Sequence, residues 1–136
     1  MTRAPRLVAA VSVALLSITA CAAAPAAEEA FCVPRITVEP QSVAGGDTII
    51  LTSDDFCGAE MPEEGWAVSA APQDRIDDAV VIRSTEEFDG AFRVDITLPI
   101  DFSAGPAFAG IDGWDYSGCP DDASCASPTG DFVVEP

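Results

Sequence analysis

The residues that could do chemistry in this sequence of 136 residues are 23 acidic side chains and five cysteines, because the chain contains neither histidine nor lysine. A serine or cysteine nucleophile needs a neighbouring base, which histidine or lysine usually supplies. Two carboxylates can hydrolyse a glycoside, but no pair stands out here, and a chain of this size leaves little room for a substrate cleft. We therefore predict a protein that is not an enzyme and that has no catalytic residues and no cofactor.

Several acidic residues are clustered in the sequence, and carboxylate oxygens are the ligands that calcium prefers. No cluster has the residue order of an EF-hand loop, and solvated loop carboxylates are the simpler interpretation. The cysteines show no C-x-x-C spacing, so zinc is not expected. We predict no metal site. If calcium does bind, we expect it in the loop that carries Asp112, Asp115, Asp121 and Asp122.

Trp114 and Tyr116 lie in the same acidic, glycine-containing loop, which runs from Gly113 to Ser127. Exposed Trp and Tyr side chains offer a large contact area with a polar group, as binding surfaces require. The sequence therefore predicts that this loop is a binding site. An equally good alternative is that Trp114 folds back and caps the core. The expected contact residues are Trp114, Tyr116, Asp112 and Asp115.

Short apolar stretches alternate with turn residues along the chain, and no helical period is visible. In the clearest stretch, from Phe92 to Leu98, every second residue is apolar, and Asp89-Gly90 before it is a hairpin-turn signal. A stretch near residue 107 is less typical of a strand, because it contains Gly105, Pro106 and Gly110. Trp66 is expected to lie on a strand and to fill the core. The expected strands are 35–39, 48–52, 66–70, 79–83, 92–98, 107–111 and 132–134.

Four of the cysteines lie beyond residue 21, an even number that is typical of a disulfide framework in an exported domain. Four cysteines allow three pairings. We favour Cys32–Cys57, because this bond would join the entry of one early strand to the exit of the next, which a hairpin brings together. We also favour Cys119–Cys125, which would close a short acidic loop.

Residues 1–20 have the order of charge, apolar run and small residues that is typical of a secretory signal peptide. The apolar run, Leu7 to Ile18, has twelve residues, whereas a membrane-spanning helix needs about 20. The junction Ile18-Thr19-Ala20-Cys21 resembles the lipobox of bacterial lipoproteins. This resemblance implies cleavage before Cys21 and a diacylglycerol on its sulfur. Residues 21–31 would then be a lipidated N-terminus and flexible tether, followed by one domain, 32–136.

The order of strands and turns in that domain resembles the bacterial immunoglobulin-like domains of actinobacterial surface lipoproteins. The matching segments are Ile36–Pro40 followed by Val43–Ile49, then Asp89–Pro99, and a cysteine-closed loop before the final strand. The resemblance implies an all-β, immunoglobulin-like sandwich of about seven short antiparallel strands.

The charge of the chain limits its partners. Without residues 1–20 there are 4 basic and 23 acidic residues, a net charge of −19. Nucleic acid is not an expected partner, because Lys and Arg drive its binding. Anionic lipid headgroups would also be repelled, so the lipid on Cys21 must supply the membrane anchor. We expect an exported, non-catalytic protein on the outer face of the cell membrane that serves recognition or scaffolding. The alternative is a small-ligand or carbohydrate-binding accessory of a transporter or envelope enzyme.

Overall fold

The computed structural model describes residues 31–122 and 124–136, and in them the chain is all-β, with two sheets and a single 3-10 helical turn at Ile76–Asp78. The predicted signal peptide, Cys21 and residues 22–30 lie outside the described residues. In the described part, no helix is long and apolar enough to cross a membrane. The strands are β1 (Thr37–Glu39), β2 (Ser42–Ala44), β3 (Thr48–Ser53), β4 (Trp66–Pro72), β5 (Val80–Ser84), β6 (Phe92–Thr97), β7 (Gly105–Asp112) and β8 (Thr129–Glu135).

One sheet has three strands in the order β1-β3-β6, and the other has five in the order β2-β8-β7-β4-β5. All pairs are antiparallel except β2 and β8, which run parallel. Each of the seven expected strands is present, with its ends moved by a few residues. The inward-facing side chains of both sheets form one buried apolar cluster, so the arrangement is compatible with a β-sandwich.

The regular alternation of β6 illustrates how the core is built. Phe92, Val94 and Ile96 are buried, whereas Arg93 and the other intervening residues are exposed. Ile49 of β3 lies opposite Ile96 and is also fully buried. Burial of an aliphatic side chain of this size contributes about 1.5–3 kcal/mol before the entropy of ordering the chain is counted. The same alternation recurs on β1, β2 and β3, whereas β4 is buried along nearly its whole length.

The strand that the sequence analysis missed, β2, has only three residues, and only Val43 among them is buried. One apolar residue cannot show a period, so the sequence carries no alternation signal at this point. Pro40 ends β1 because it cannot donate a hydrogen bond to the ladder. The chain then pairs with β8 in the other sheet, where the Val133 N–H donates to the Gln41 carbonyl at 2.9 Å.

The expected hairpin turn at Asp89-Gly90 was wrong. The strands on either side, β5 and β6, belong to different sheets, so these two residues lie in a crossover between sheets. Asp89 forms an isolated bridge with Phe56, and the Cys57 N–H donates to the Phe88 carbonyl at 2.9 Å. Gly90 does adopt a left-handed conformation, with φ +89°. The positive φ that the Asp-Gly dipeptide favours is therefore present at Gly90, but not at Asp89, and the two flanking strands are not paired.

Gly110 gives a first testable prediction, because it lies on β7 directly opposite Thr129, the first residue of β8. An added Cβ would lie 2.3 Å from the Pro128 carbonyl oxygen and 2.9 Å from the Thr129 Cα, both backbone atoms. Gly110→Ala should therefore lower the free energy of unfolding by about 1–3 kcal/mol, as overpacking does. Gly58→Ala is the matched control, because its Cβ would have no neighbour within 4 Å. Equal denaturation midpoints for the two variants would contradict the close approach.

Candidate binding cleft

The first disulfide fixes one wall of a cleft at the end of the two-sheet core. Thr37 of β1 lies opposite Thr52 of β3, and continuing this register by five residues places Cys32 opposite Cys57. These two cysteines are bonded, with Cα atoms 5.6 Å apart. This is the pair that the strand order predicted. The bond extends the β1–β3 ladder beyond its last hydrogen bonds and holds both chain segments at the same end of the molecule.

The loop between β7 and β8 supplies the opposite wall. Cys119 and Cys125 are bonded within it, as expected. The backbone N–H of Ser117 donates to Asp115 Oδ1 at 2.8 Å, and the Cys119 N–H donates to the Tyr116 carbonyl at 2.9 Å. The hydrogen bonds from the Ser117 backbone and side chain hold the pKa of Asp115 below its ordinary value.

Trp114 caps the core, one of the two roles that the sequence left open. It is 6% exposed and stacks on Trp66, with ring centroids 5.2 Å apart. Its indole N–H donates to the Cys32 carbonyl at 3.2 Å. The side chain thus joins the β7–β8 loop to the segment that bears the first disulfide. Trp114 therefore has no exposed ring face for a partner to contact, unlike the exposed binding residue that was the other expectation.

Four rings form an aromatic cluster at this end of the core: Trp66, Phe88, Phe92 and Trp114. Phe88 stacks on Phe92, with ring centroids 4.2 Å apart. It also makes edge-on contacts with Trp66 at 5.6 Å and with Trp114 at 5.4 Å. Offset and edge-on pairs of this kind stabilise a core by about 0.5–1.5 kcal/mol each beyond the burial of area. The cluster makes a rigid floor under the two walls.

A cleft of about 650 Å³ opens above the aromatic cluster, between the β3–β4 connection and the β7–β8 loop. Its volume is within the range of about 300–1,000 Å³ that is usual for small-molecule sites. A smaller cavity of about 290 Å³ adjoins it and shares Gly58, Ala59 and Trp66. The residues that line the larger cleft are Phe31, Cys32, Phe56, Gly58, Ala59, Glu60, Pro62, Trp66, Gly113, Trp114, Asp115, Ser117 and Gly118.

Three exposed or half-exposed aromatic side chains surround the cleft. Phe56 is 79% exposed, and its ring lies against Gly90, where an added Cβ would be 2.5 Å from the ring. Phe31 lies against Gly118 in the same way, and its ring is 6.3 Å from that of Tyr116. Tyr116 is 38% exposed and does not line the cleft itself. Accessible ring surface is thus concentrated where the two disulfide-tied segments meet.

The sequence analysis missed Phe31 and Phe56, although a signal for them was present. Each directly precedes one partner of the first disulfide, in the dipeptides Phe31-Cys32 and Phe56-Cys57. Once that disulfide is inferred, both phenylalanines are placed at the same end of the β1–β3 pair. An aromatic residue beside each bonded cysteine therefore indicates ring surface at this end of the molecule, which alternation alone does not.

The cleft carries acidic groups and, among the described residues that line it, no basic group. Glu60 and Asp115 lie at its edge, and both are exposed. Trp66 is 4% exposed, and its indole N–H is buried without an acceptor among the described residues. A buried donor without an acceptor destabilises a fold by about 1–3 kcal/mol.

The remaining predicted site residues are not gathered into the cleft. Asp112 accepts a hydrogen bond from the Ser69 hydroxyl at 2.8 Å, in the pairing of β7 with β4. Nor are Asp112, Asp115, Asp121 and Asp122 brought together as a calcium site would require. In residues 31–122 and 124–136, no group of three or more possible metal-binding side chains is present. Local turns and the strand pairing hold these carboxylates apart.

Aromatic rings, small residues and two carboxylates around an open volume are suited to binding. No protein-family model matches the chain, and no curated protein is similar to it.

Proposed function

We propose that this chain is a lipid-anchored, non-catalytic envelope protein that uses the cleft above the aromatic cluster for recognition. The observation that carries the proposal is the cleft itself. It has the volume of a ligand site, a floor of packed rings, and walls that are each tied by a disulfide. Walls that are ordered before binding lower the entropy cost of holding a partner.

The anchor part of the proposal rests on the signal peptide and lipobox at residues 1–21. Two disulfides in a chain of this size fit an exported protein, because disulfides persist in oxidising compartments. With Cys21 lipidated, nine residues would separate it from Phe31, a distance of about 17 Å for a flexible coil and roughly 30 Å when extended. Since Phe31 lines the cleft, the recognition end would face the membrane.

For the fold, we propose an immunoglobulin-like sandwich. Two features support this assignment. The eight strands form two facing sheets, and the chain leaves one sheet after β1 to add β2 beside the last strand of the other. In such domains the loops at one end carry function while the strands supply a rigid frame.

A second candidate is a small-ligand or carbohydrate-binding accessory protein of a transporter or envelope enzyme. The size of the cleft favours it. A protein that only presented a flat surface would not need a cleft of this volume.

The anchor is tested at Cys21. Cys21→Ala removes the sulfur that would carry the lipid, so the variant should be released from membranes or remain uncleaved. Fractionation of cells and mass spectrometry of the N-terminus measure this directly. A variant that is cleaved and still fully retained in the membrane fraction would contradict lipid anchoring.

Recognition in the cleft is tested by placing a photoreactive benzophenone side chain at position 56 in living cells. Because Phe56 is exposed at the cleft, we expect it to form a discrete cross-linked product. The control is the same side chain at Val133, which is 48% exposed on β8 and does not line the cleft. A product at position 133 and none at position 56 would contradict the proposed site.

A further inference from the structure

We propose that the cleft binds an organic cation that carries apolar groups, of the trimethylammonium type. This inference rests on the proposed function, since it names the class of ligand for the same cleft. Its basis is the charge of the residues that line the two cavities and the aromatic rings at the larger one.

Both cavities are lined by carboxylates and by no described basic residue. Glu60 and Asp115 line the larger cleft, and Glu87 and Asp89 line the smaller one. Arg83, whose guanidinium is 3.5 Å from Glu64, does not line either of them. The Ser117 backbone N–H donates to Asp115 Oδ1 at 2.8 Å, which helps to hold this carboxylate in position at the edge of the cleft. A negative potential in a partly enclosed volume attracts cations and repels anions.

The rings give the cleft a preference for a cation with apolar substituents over a small hydrated ion. Phe56 lines the cleft and is 79% exposed, with part of its ring against Gly90, so it offers accessible ring surface at the site. Phe31 lies on the same wall as Phe56 and is half-buried against Gly118 of the opposite wall. A cation over a ring face is attracted by the ring quadrupole, and methyl groups on nitrogen also gain contact with the apolar lining.

Trp66 lines both cavities, so its ring is part of the surface that a ligand in either of them would meet. Its indole N–H is fully buried and is not accessible from the open cleft. Trp66 therefore contributes apolar ring surface to the site and no hydrogen bond to the ligand. The N-terminal segment of the chain is a poorer occupant, because Glu28 and Glu29 would be repelled by the carboxylates around the cleft.

The two tryptophans supply a direct readout, because they are the only ones in the sequence and both line the cleft. The probe is choline, and its matched control is 3,3-dimethylbutan-1-ol, which has the same shape and hydroxyl group but no charge. Each is titrated into the full-length protein in a polyoxyethylene detergent, and the two indole N–H signals are followed by NMR. We expect saturable shifts with choline, and binding of the neutral alcohol that is about tenfold weaker.

Substitutions distinguish the contribution of the carboxylates to choline binding from that of the aromatic ring. Glu60→Gln with Asp115→Asn should weaken choline binding about fivefold or more at low salt, because both carboxylates are replaced by isosteric amides. Phe56→Leu should weaken it while keeping an apolar side chain. The control is Asp101→Asn, at an exposed carboxylate in the β6–β7 connection, which should leave the affinity unchanged.

Several results would overturn the ligand class: no shift with choline, equal binding of choline and the neutral alcohol, or shifts with methyl glucoside in the absence of any with choline. If one of these occurs while position 56 still cross-links in cells, the proposed function stands and only the ligand class is wrong. If position 56 does not cross-link either, the proposed function fails as well.

Discussion

Replacing Trp114 by alanine should lower the free energy of unfolding by about 3–5 kcal/mol, as expected for removal of a large buried aromatic side chain. Trp114 is almost fully buried, stacks on Trp66, meets Phe88 edge-on at 5.4 Å, and donates to the Cys32 carbonyl. Truncation removes all of these contacts and opens a cavity at the end of the core. Chemical denaturation monitored by circular dichroism measures the effect without relying on tryptophan emission.

Tyr116→Ala is the matched control, because Tyr116 lies two residues away in the same loop and is 38% exposed. Its loss should change stability by well under 1 kcal/mol, as is usual for a surface substitution. Trp114→Phe should fall between the two, since it keeps ring contacts and loses the hydrogen bond to Cys32. If Trp114→Ala leaves stability unchanged, the aromatic cluster does not depend on its outermost ring.

Removal of the Cys32–Cys57 bond by a double serine substitution should have a comparable effect, a loss of about 3.5 kcal/mol. The two cysteines are 25 residues apart, and the entropy of closing a loop of this length in the unfolded chain gives that figure. The bond also holds Phe31 and Phe56 at the cleft, because each precedes one of the cysteines. We therefore expect cross-linking from position 56 to fall in the same variant.

The second disulfide provides the comparison. Cys119 and Cys125 are only six residues apart, so their removal should cost about 2 kcal/mol. Urea denaturation of both double variants under identical conditions compares how much each disulfide contributes to the free energy of unfolding. A larger loss on removal of Cys119–Cys125 would mean that the β7–β8 loop contributes more to the fold than chain entropy accounts for.

Much of the architecture could be predicted from residue alternation. The pattern of Phe92, Val94 and Ile96 specifies a half-buried strand, because side chains on a strand point to opposite faces. The Cys32–Cys57 bond followed from strand order, since the ends of paired strands must lie together. The first inference depends on alternation that is visible in the sequence, and the second depends on the order of the strands that this alternation predicts.

The sequence could not show which sheet each strand joins. A turn signal such as Asp89-Gly90 reports local backbone geometry, and the same geometry serves a hairpin or a crossover. The three residues of β2 are too few to show a period. Trp114 was ambiguous because a loop position gives no information on depth. Its burial is decided by Trp66 and Phe88, which are 48 and 26 residues away in the sequence.

The central claim is that the cleft above the aromatic cluster is where this protein recognises its partner. The most direct test is NMR mapping of the protein, labelled on its backbone amides and indole N–H groups, during titration with solubilised membranes of cells that produce it. We predict that the signals of Trp66, Trp114, Phe56 and Ser117 shift or broaden, while those of Thr37, Arg93 and Val133 on the outer faces of the sheets stay in place. Changes confined to the outer faces, with both indole signals unmoved, would contradict it.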